Sequence, residues 1–253
     1  MRIVVITQNE PFYLGKNFDY LIKILPAHSK IVGCVLTAVS PFGKKESFFR
    51  KAVKTYKIFG INFFMHYSIK YIFSIFDFRN KMNSVLKYHE IPKISISENI
   101  NSPSSINIIN SYKPDILVSV LGNQIFKKQI INLAPMGCIN LHTALLPKYR
   151  GLMPTFWVLK NNEKRTGVSV FYVDEGIDSG PIITQKEIKI NNQTHADLIR
   201  DTKRVGMELI AKSIDLIHHN KVKLIENPNE NSSYYSFPSR KDVIEFKNNN
   251  KFF

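Results

Sequence analysis

The sequence predicts an α/β fold, a mostly parallel sheet flanked by helices with a short C-terminal helical or hairpin extension. Short apolar runs rich in β-branched residues recur along the chain, as parallel strands buried on both faces require. Longer segments of helical period separate them, and strands alternating with helices imply right-handed crossovers. The chain of 253 residues suits one main domain plus a modest appendage, since a chain of that size can bury a full core. Residues 1–192 are read as the main domain and 193–253 as the extension.

Residues 2–7 form the first expected strand. The start shows no cleavage region, and a cytoplasmic protein is expected. A polar and then aromatic loop with Gln8, Phe12 and Tyr13 leads into a helix ending near residue 25. Residues 30–37 read as the second strand. No Gly-x-Gly-x-x-Gly follows the first strand, so the dinucleotide fingerprint is absent. Cys34 and Cys138 both lie in strand-like runs and are expected as buried free thiols, with no metal-ligand spacing.

Residues 41–87 read as a helical, basic and aromatic insertion. Phe48, Phe49, Phe59, Phe63, Phe64, Phe73, Phe76 and Phe78 are combined with Lys44, Lys45, Arg50, Lys51, Lys54 and Lys57. Residues 56–76 are long enough to raise the question of a membrane span, but Lys57, Asn62, His66 and Lys70 argue against one. Two amphipathic helices broken near residues 60–62 are expected instead. Packing on the protein's own domain is the favoured reading; contact with an anionic membrane surface is the alternative.

A strand is expected over 91–97 and a helix over 104–112, ended by Lys113-Pro114. A buried strand over 115–121 is closed by Gly122, Asn123, Gln124, Ile125 and Phe126. A helix over 127–133, a strand over 138–142, a helix over 155–160 and strands over 168–173 and 182–190 follow. Thr194-x-x-Asp197 then opens a long helix to about residue 218 as a capping-box variant.

The chemistry concentrates in residues 136–185. Asn140 and His142 are spaced i, i+2 on a strand and so share one face. Asp178 lies in a Gly-flanked loop after the strand over 168–173. Ligands in parallel sheets bind outside the carboxyl ends of the strands, and Asn140-x-His142, the loop at Gly122 and the loop over 174–180 are expected to lie on that one edge. An amide to stabilise an oxyanion, an imidazole to move a proton and a carboxylate to orient the imidazole are what acyl transfer to an amine needs. The bland alternative is that all three cap turns.

The segment resembles the folate-dependent formyltransferases, a family that includes glycinamide ribonucleotide, methionyl-tRNA and sugar N-formyltransferases. The resemblance rests on Asn140-x-His142, Leu145-Leu146-Pro147-x-Tyr149-Arg150-Gly151 and Asp174-x-Gly176-x-Asp178-x-Gly180-Pro181, with 36 residues from His142 to Asp178. It implies a Rossmann-like formyltransferase fold and 10-formyltetrahydrofolate as donor, with no metal. Asn140, His142 and Asp178 would be the catalytic residues. Gly122, Asn123, Gln124, Ile125, Phe126, Val173, Asp174, Glu175, Gly176 and Ile177 would hold the folate. Gln8, Phe12, Tyr13, Tyr149, Arg150, Gly151, Met153 and Tyr234 would meet the acceptor. The absence of a Gly-rich loop after the first strand disfavours glycinamide ribonucleotide. About 60 residues follow Thr194, fewer than the C-terminal barrel of the tRNA enzymes needs. The expected acceptor is a nucleotide-linked amino sugar of surface polysaccharide synthesis. A tRNA-type enzyme without the barrel and a non-catalytic binding protein are the alternatives. The net charge of +15 suits an anionic partner or reflects compositional bias. The Tyr-rich tail could meet the acceptor or a second subunit of a homodimer.

Overall fold

The computed structural model describes residues 1–39, 47–97, 99–122 and 124–253, and Arg79 by its backbone alone. Lys44, Lys45 and Asn123 lie outside the described residues.

A seven-stranded sheet has the order β3-β2-β1-β4-β5-β7-β8. β1 (Arg2–Gln8), β2 (Lys30–Thr37), β3 (Lys93–Ile94), β4 (Ile116–Val120) and β5 (Cys138–His142) run parallel; β7 (Arg165–Tyr172) and β8 (Ile182–Lys189) form an antiparallel edge. The chain adds β2 and β3 on one side of β1, then returns to place β4 and β5 on the other. At such a switch point the carboxyl ends diverge and open a crevice. The expected third strand contracts to two residues, because β3 pairs only with β2 and follows Pro92.

Both faces are covered. α1 (Leu14–Ile24), α4 (Met82–Tyr88) and α8 (His195–His218) bury Leu14, Phe18, Met82, Met207 and Ile210 on one face. α5 (Pro103–Ser111) and α6 (Lys128–Ile131) bury Ile109 and Ile130 on the other. The expected capping box opens α8. The Asp197 amide donates to Thr194 Oγ1 at 3.1 Å, and the Thr194 amide donates back to the Asp197 carboxylate. Such a cap contributes about 1 kcal/mol.

α2 (Phe48–Phe59) and α3 (Ile61–Phe76) meet at Gly60, whose φ is +87°. They form an antiparallel hairpin: the rings of Tyr56 and Phe64 lie 6.0 Å apart and those of Phe48 and Tyr71 5.8 Å apart. This is the helix pair the sequence predicts. No helix among the described residues is long and apolar enough to cross a membrane.

The C-terminal segment folds back. β9 (Tyr234–Tyr235) pairs in parallel with β6 (Arg150–Gly151). α9 (Arg240–Asn248) packs on α7 (Pro154–Lys160), with the Phe246 and Phe156 rings stacked at 4.9 Å. Phe59 of the hairpin joins this cluster, so extension, hairpin and main domain share a small apolar core.

One expectation about the edge of the sheet is corrected. β7 is antiparallel to β5, with Tyr172 opposite Ile139 and Ser169 opposite His142. The loop over 174–180 therefore leaves the sheet beside the amino end of β5, not at the shared carboxyl edge. It bends back to bring Asp178 to His142.

Candidate active site

β5 places Asn140 and His142 on one face, hydrogen-bonded between β4 and β7. His142 is 6 % exposed, and its Nε2 lies 2.7 Å from the Tyr149 carbonyl oxygen. A carbonyl only accepts, so Nε2 carries the proton and donates. Nδ1 faces Asp178 Oδ2 at 3.5 Å. The same carboxylate oxygen accepts the Gly151 amide at 2.8 Å.

Gly151 is required at that position. Its φ is +96°, and a Cβ there would lie 2.3 Å from the Tyr235 carbonyl oxygen. The Asp178 loop is pinned from behind: the Asn227 side-chain amide donates at 2.9 Å to the carbonyls of both Asp178 and Gly180. The loop after His142 is fixed as well. Ser169 Oγ donates to the Ala144 carbonyl at 2.7 Å and accepts the Leu146 amide at 3.1 Å, while Gln185 donates to the Leu146 carbonyl at 3.0 Å.

Asn140 differs. Its Oδ1 is buried and has no hydrogen-bond partner. A buried orphan calls for a specific explanation, and here the carboxamide borders a cleft of about 660 Å³ together with His142 and Asp178.

Of the residues expected to hold folate, Gly122, Gln124, Ile125, Phe126, Val173, Asp174, Gly176 and Ile177 line this cleft. Glu175 is exposed and does not. The 122–126 loop is held by its neighbours: Gln124 Oε1 accepts the Ile100 amide at 2.9 Å, and Asn101 donates to the Ile125 carbonyl at 2.9 Å. Of the residues expected to meet an acceptor, Gln8, Tyr13, Gly151 and Met153 line the cleft. Gln8 also donates to the Leu121 carbonyl across the switch point.

Phe12, Tyr149, Arg150 and Tyr234 are not in the lining. Phe12 packs edge-on against Tyr67 and Tyr71 of α3. The Tyr149 ring stacks on Tyr235, and its hydroxyl donates to Glu163 at 2.6 Å. Burial, then the Glu163 hydrogen bond, pushes that phenol up. The Arg150 guanidinium is buried and donates to the Asn229 side chain at 2.7 Å and to Asn227 at 2.9 and 3.0 Å. Tyr234 stands half-exposed on β9.

Other lining residues were not among the site residues the sequence pointed to. The α2–α3 hairpin contributes Lys51, Lys54, Thr55, Phe59, Phe63 and Tyr67, and the tail contributes Phe237 and Phe253. Lys203 of α8 is almost fully buried, with Nζ 3.4 Å from Glu10 and 5.3 Å from the Tyr13 ring centre. A cation on the buried face of a helix was the available signal. His195 is buried at the start of α8; its Nε2 meets Thr155 Oγ1 at 3.1 Å and its Nδ1 has no partner. Burial, and then the Lys70 charge, lowers its pKa to about 4. Asn227 carried no sequence signal.

Both cysteines are buried free thiols pushed up by desolvation. Among the described residues, one His/Asp group has ligand atoms within 4.8 Å of one another: His28, Asp215 and His219. It lies at the end of α8 opposite His195 and the cleft, where contacts of 3.1 and 3.4 Å join both imidazoles to Asp215.

Comparison with known proteins places this geometry in a family. The formyl transferase family profile matches residues 82–214, more than half of the chain. The methionyl-tRNA formyltransferase of Kosmotoga olearia (strain ATCC BAA-1733 / DSM 21960 / TBF 19.5.1) is 33 % identical over 159 residues, 62 % of this chain and 51 % of that protein. The chain thus spans about half the length of the curated relatives it matches. The phosphoribosylglycinamide formyltransferase of Anaplasma phagocytophilum shares the fold, with a TM-score of 0.64, 17 % identity and coverage of 94 % of this chain and 99 % of that one. The formyltransferase PseJ from Anoxybacillus kamchatkensis, in complex with UDP-4,6-dideoxy-4-formamido-L-AltNAc and tetrahydrofolate, has a TM-score of 0.50 at 25 % identity, covering 60 % of this chain and 78 % of that one. With the profile spanning 82–214, from α4 through β5 and into α8, the chain belongs to the formyl transferase family.

Proposed function

We propose that the protein transfers a formyl group from 10-formyltetrahydrofolate to the primary amine of a nucleotide-linked amino sugar. The observation that carries the chemistry is the convergence of a carboxamide with an unpartnered oxygen, an imidazole with Nε2 engaged and a carboxylate on one cleft. The free amine attacks the formyl carbon and forms a tetrahedral oxyanion. Asn140 Nδ2 donates to that oxygen, a contribution of about 3 kcal/mol in comparable acyl transfers, and Oδ1 accepts an N–H of the amine. With Nε2–H directed at Tyr149, the Nδ1 lone pair of His142 takes the amine proton. Asp178 Oδ2 faces the N–H so formed and balances the charge of the ring. The carbon–N10 bond then breaks, N10 takes a proton and tetrahydrofolate leaves. Holding both reactants in one cleft removes the entropy cost of their meeting.

The nucleotide-sugar reading is supported by the second wall of the cleft. Lys51, Lys54 and Lys203 supply cations suited to a pyrophosphate, beside the aromatic rings of Phe59, Phe63 and Tyr67. The complex reported for PseJ is of the same chemical kind. The relation to methionyl-tRNA formyltransferases favours a second reading, a tRNA-linked amine. Tetrahydrofolate release, measured for wild type and His142→Ala with a panel of nucleotide-linked amino sugars and with initiator methionyl-tRNA, tests both. Release only with an amino sugar and lost on substitution is expected. Formylation of the tRNA alone would overturn the acceptor, and release indifferent to His142→Ala would overturn the catalytic assignment.

A further inference from the structure

α3 leaves an apolar stripe on its outer face, where a surface helix of a soluble domain carries polar groups. Such a helix turns its apolar stripe to the core. Here Phe63, Tyr67, Lys70 and Ser74 face inward: Phe63 and Tyr67 line the cleft, Lys70 Nζ meets the Tyr13 hydroxyl at 2.5 Å, and Ser74 is buried. The outer stripe is Ile61, Met65, Ile69, Ile72 and Phe76, spaced by three and four residues, each between 53 and 72 % exposed. Phe48 and Phe49 on α2, Phe73 near the end of α3 and Phe78 in the turn just beyond it extend the apolar surface, all exposed by two thirds or more. A patch of contiguous large apolar groups on this scale marks a site of interaction.

We propose that this hairpin docks the protein on the surface of an anionic lipid bilayer. The argument for that partner is charge. Residues 47–81 hold seven Lys and Arg, of which Lys51 and Lys54 line the cleft and Lys70 turns inward to Tyr13, and one acidic residue, Asp77, which is paired with Lys16 at 2.9 Å. Arg50 and Lys57 are exposed on α2, two turns apart. A symmetric contact with a second copy sets two patches of the same net positive charge against each other, which opposes it. An anionic bilayer accepts both features, the apolar stripe entering the interface and the cations meeting headgroups. The hairpin lies on the surface and does not span, since no helix among the described residues is long and apolar enough to cross. Its inner side lines the cleft, so docking brings the cleft to the membrane surface. This inference does not depend on which amine is formylated.

Co-sedimentation with phosphatidylcholine vesicles, with and without phosphatidylglycerol, tests it on the full chain. Binding is expected only to the anionic vesicles. It should weaken as salt rises from about 0.1 to 0.5 M and fall at least about tenfold in the Ile69→Gln/Ile72→Gln/Phe76→Gln variant, with vesicle-free formyl transfer unchanged. If the triple variant does not fold, single Ile72→Gln and the salt series decide the matter in its place. No sedimentation of folded wild type with anionic vesicles overturns the proposal, as does a variant that binds like wild type. A vesicle-free dimer dispersed by these substitutions also overturns it, because the stripe is then a subunit interface.

Discussion

The Tyr149 carbonyl oxygen accepts the Nε2–H of His142 at 2.7 Å, and this one contact selects the ring nitrogen left for chemistry. Tyr149 presents that carbonyl from a left-handed conformation (φ 60°) while its ring is stacked on Tyr235 and its hydroxyl is bonded to Glu163. Nδ1 is then the nitrogen between Asp178 and the cleft.

Asp178→Asn keeps the size of the side chain and an oxygen for the Gly151 amide, but removes the charge that balances a protonated His142. The kcat of formyl transfer is expected to fall about 10²–10³-fold with little change in KM. Steady-state kinetics with saturating donor check this; a loss confined to KM would contradict the assigned role.

Asn227 acts on the site through Asp178. Asn227→Ala removes both hydrogen bonds to the 178–180 loop and a partner of the buried Arg150. A drop in kcat of about tenfold and a stability loss of about 2 kcal/mol are expected. In a double-mutant cycle, the Asp178→Asn background should remove most of the kinetic effect while leaving the stability loss. Additive kinetic effects would show that Asn227 acts only on folding.

Lys203 tests the acceptor wall. Lys203→Met preserves a buried unbranched stem on α8 and removes the cation beside Glu10 and Tyr13. The KM for a nucleotide-linked acceptor should rise about tenfold, with the donor KM unchanged. Equal changes in both would place Lys203 outside the acceptor's reach.

His195 sets a pH dependence of stability. Its folded pKa of about 4 lies below the ordinary value of 6.5, so on acidification the unfolded chain takes up a proton that the native state refuses. The stability is present above about 6.5 and is lost as pH falls towards 4, by about 3 kcal/mol. Urea unfolding between pH 7 and 4 should show this slope, and His195→Gln should flatten that part of it.

The α/β class, the capping box at Thr194, the broken helix pair near Gly60 and the Asn140–His142 face were legible because each rests on short-range periodicity or on neighbours a few residues apart. The sequence also marked Asp178 as a partner of His142. It misplaced the route, since strand direction is set by pairing, and β7 pairs antiparallel to β5. His195 and Asn227 were invisible as neighbours of the site because they lie far from β5 in the chain and their local patterns are those of an ordinary helix or loop; Lys203 offered only a cation on the apolar face of a helix, which does not say what it faces.

The sequence by itself set an amide and an imidazole on one strand face and a carboxylate in a Gly-flanked loop, because spacing along a strand and turn residues constrain local geometry. Only the tertiary structure decided that the basic aromatic hairpin walls the cleft with lysines and aromatic rings and leaves a second apolar stripe facing outward. Helical period shows that two faces exist; only packing against the rest of the chain shows which of them is covered.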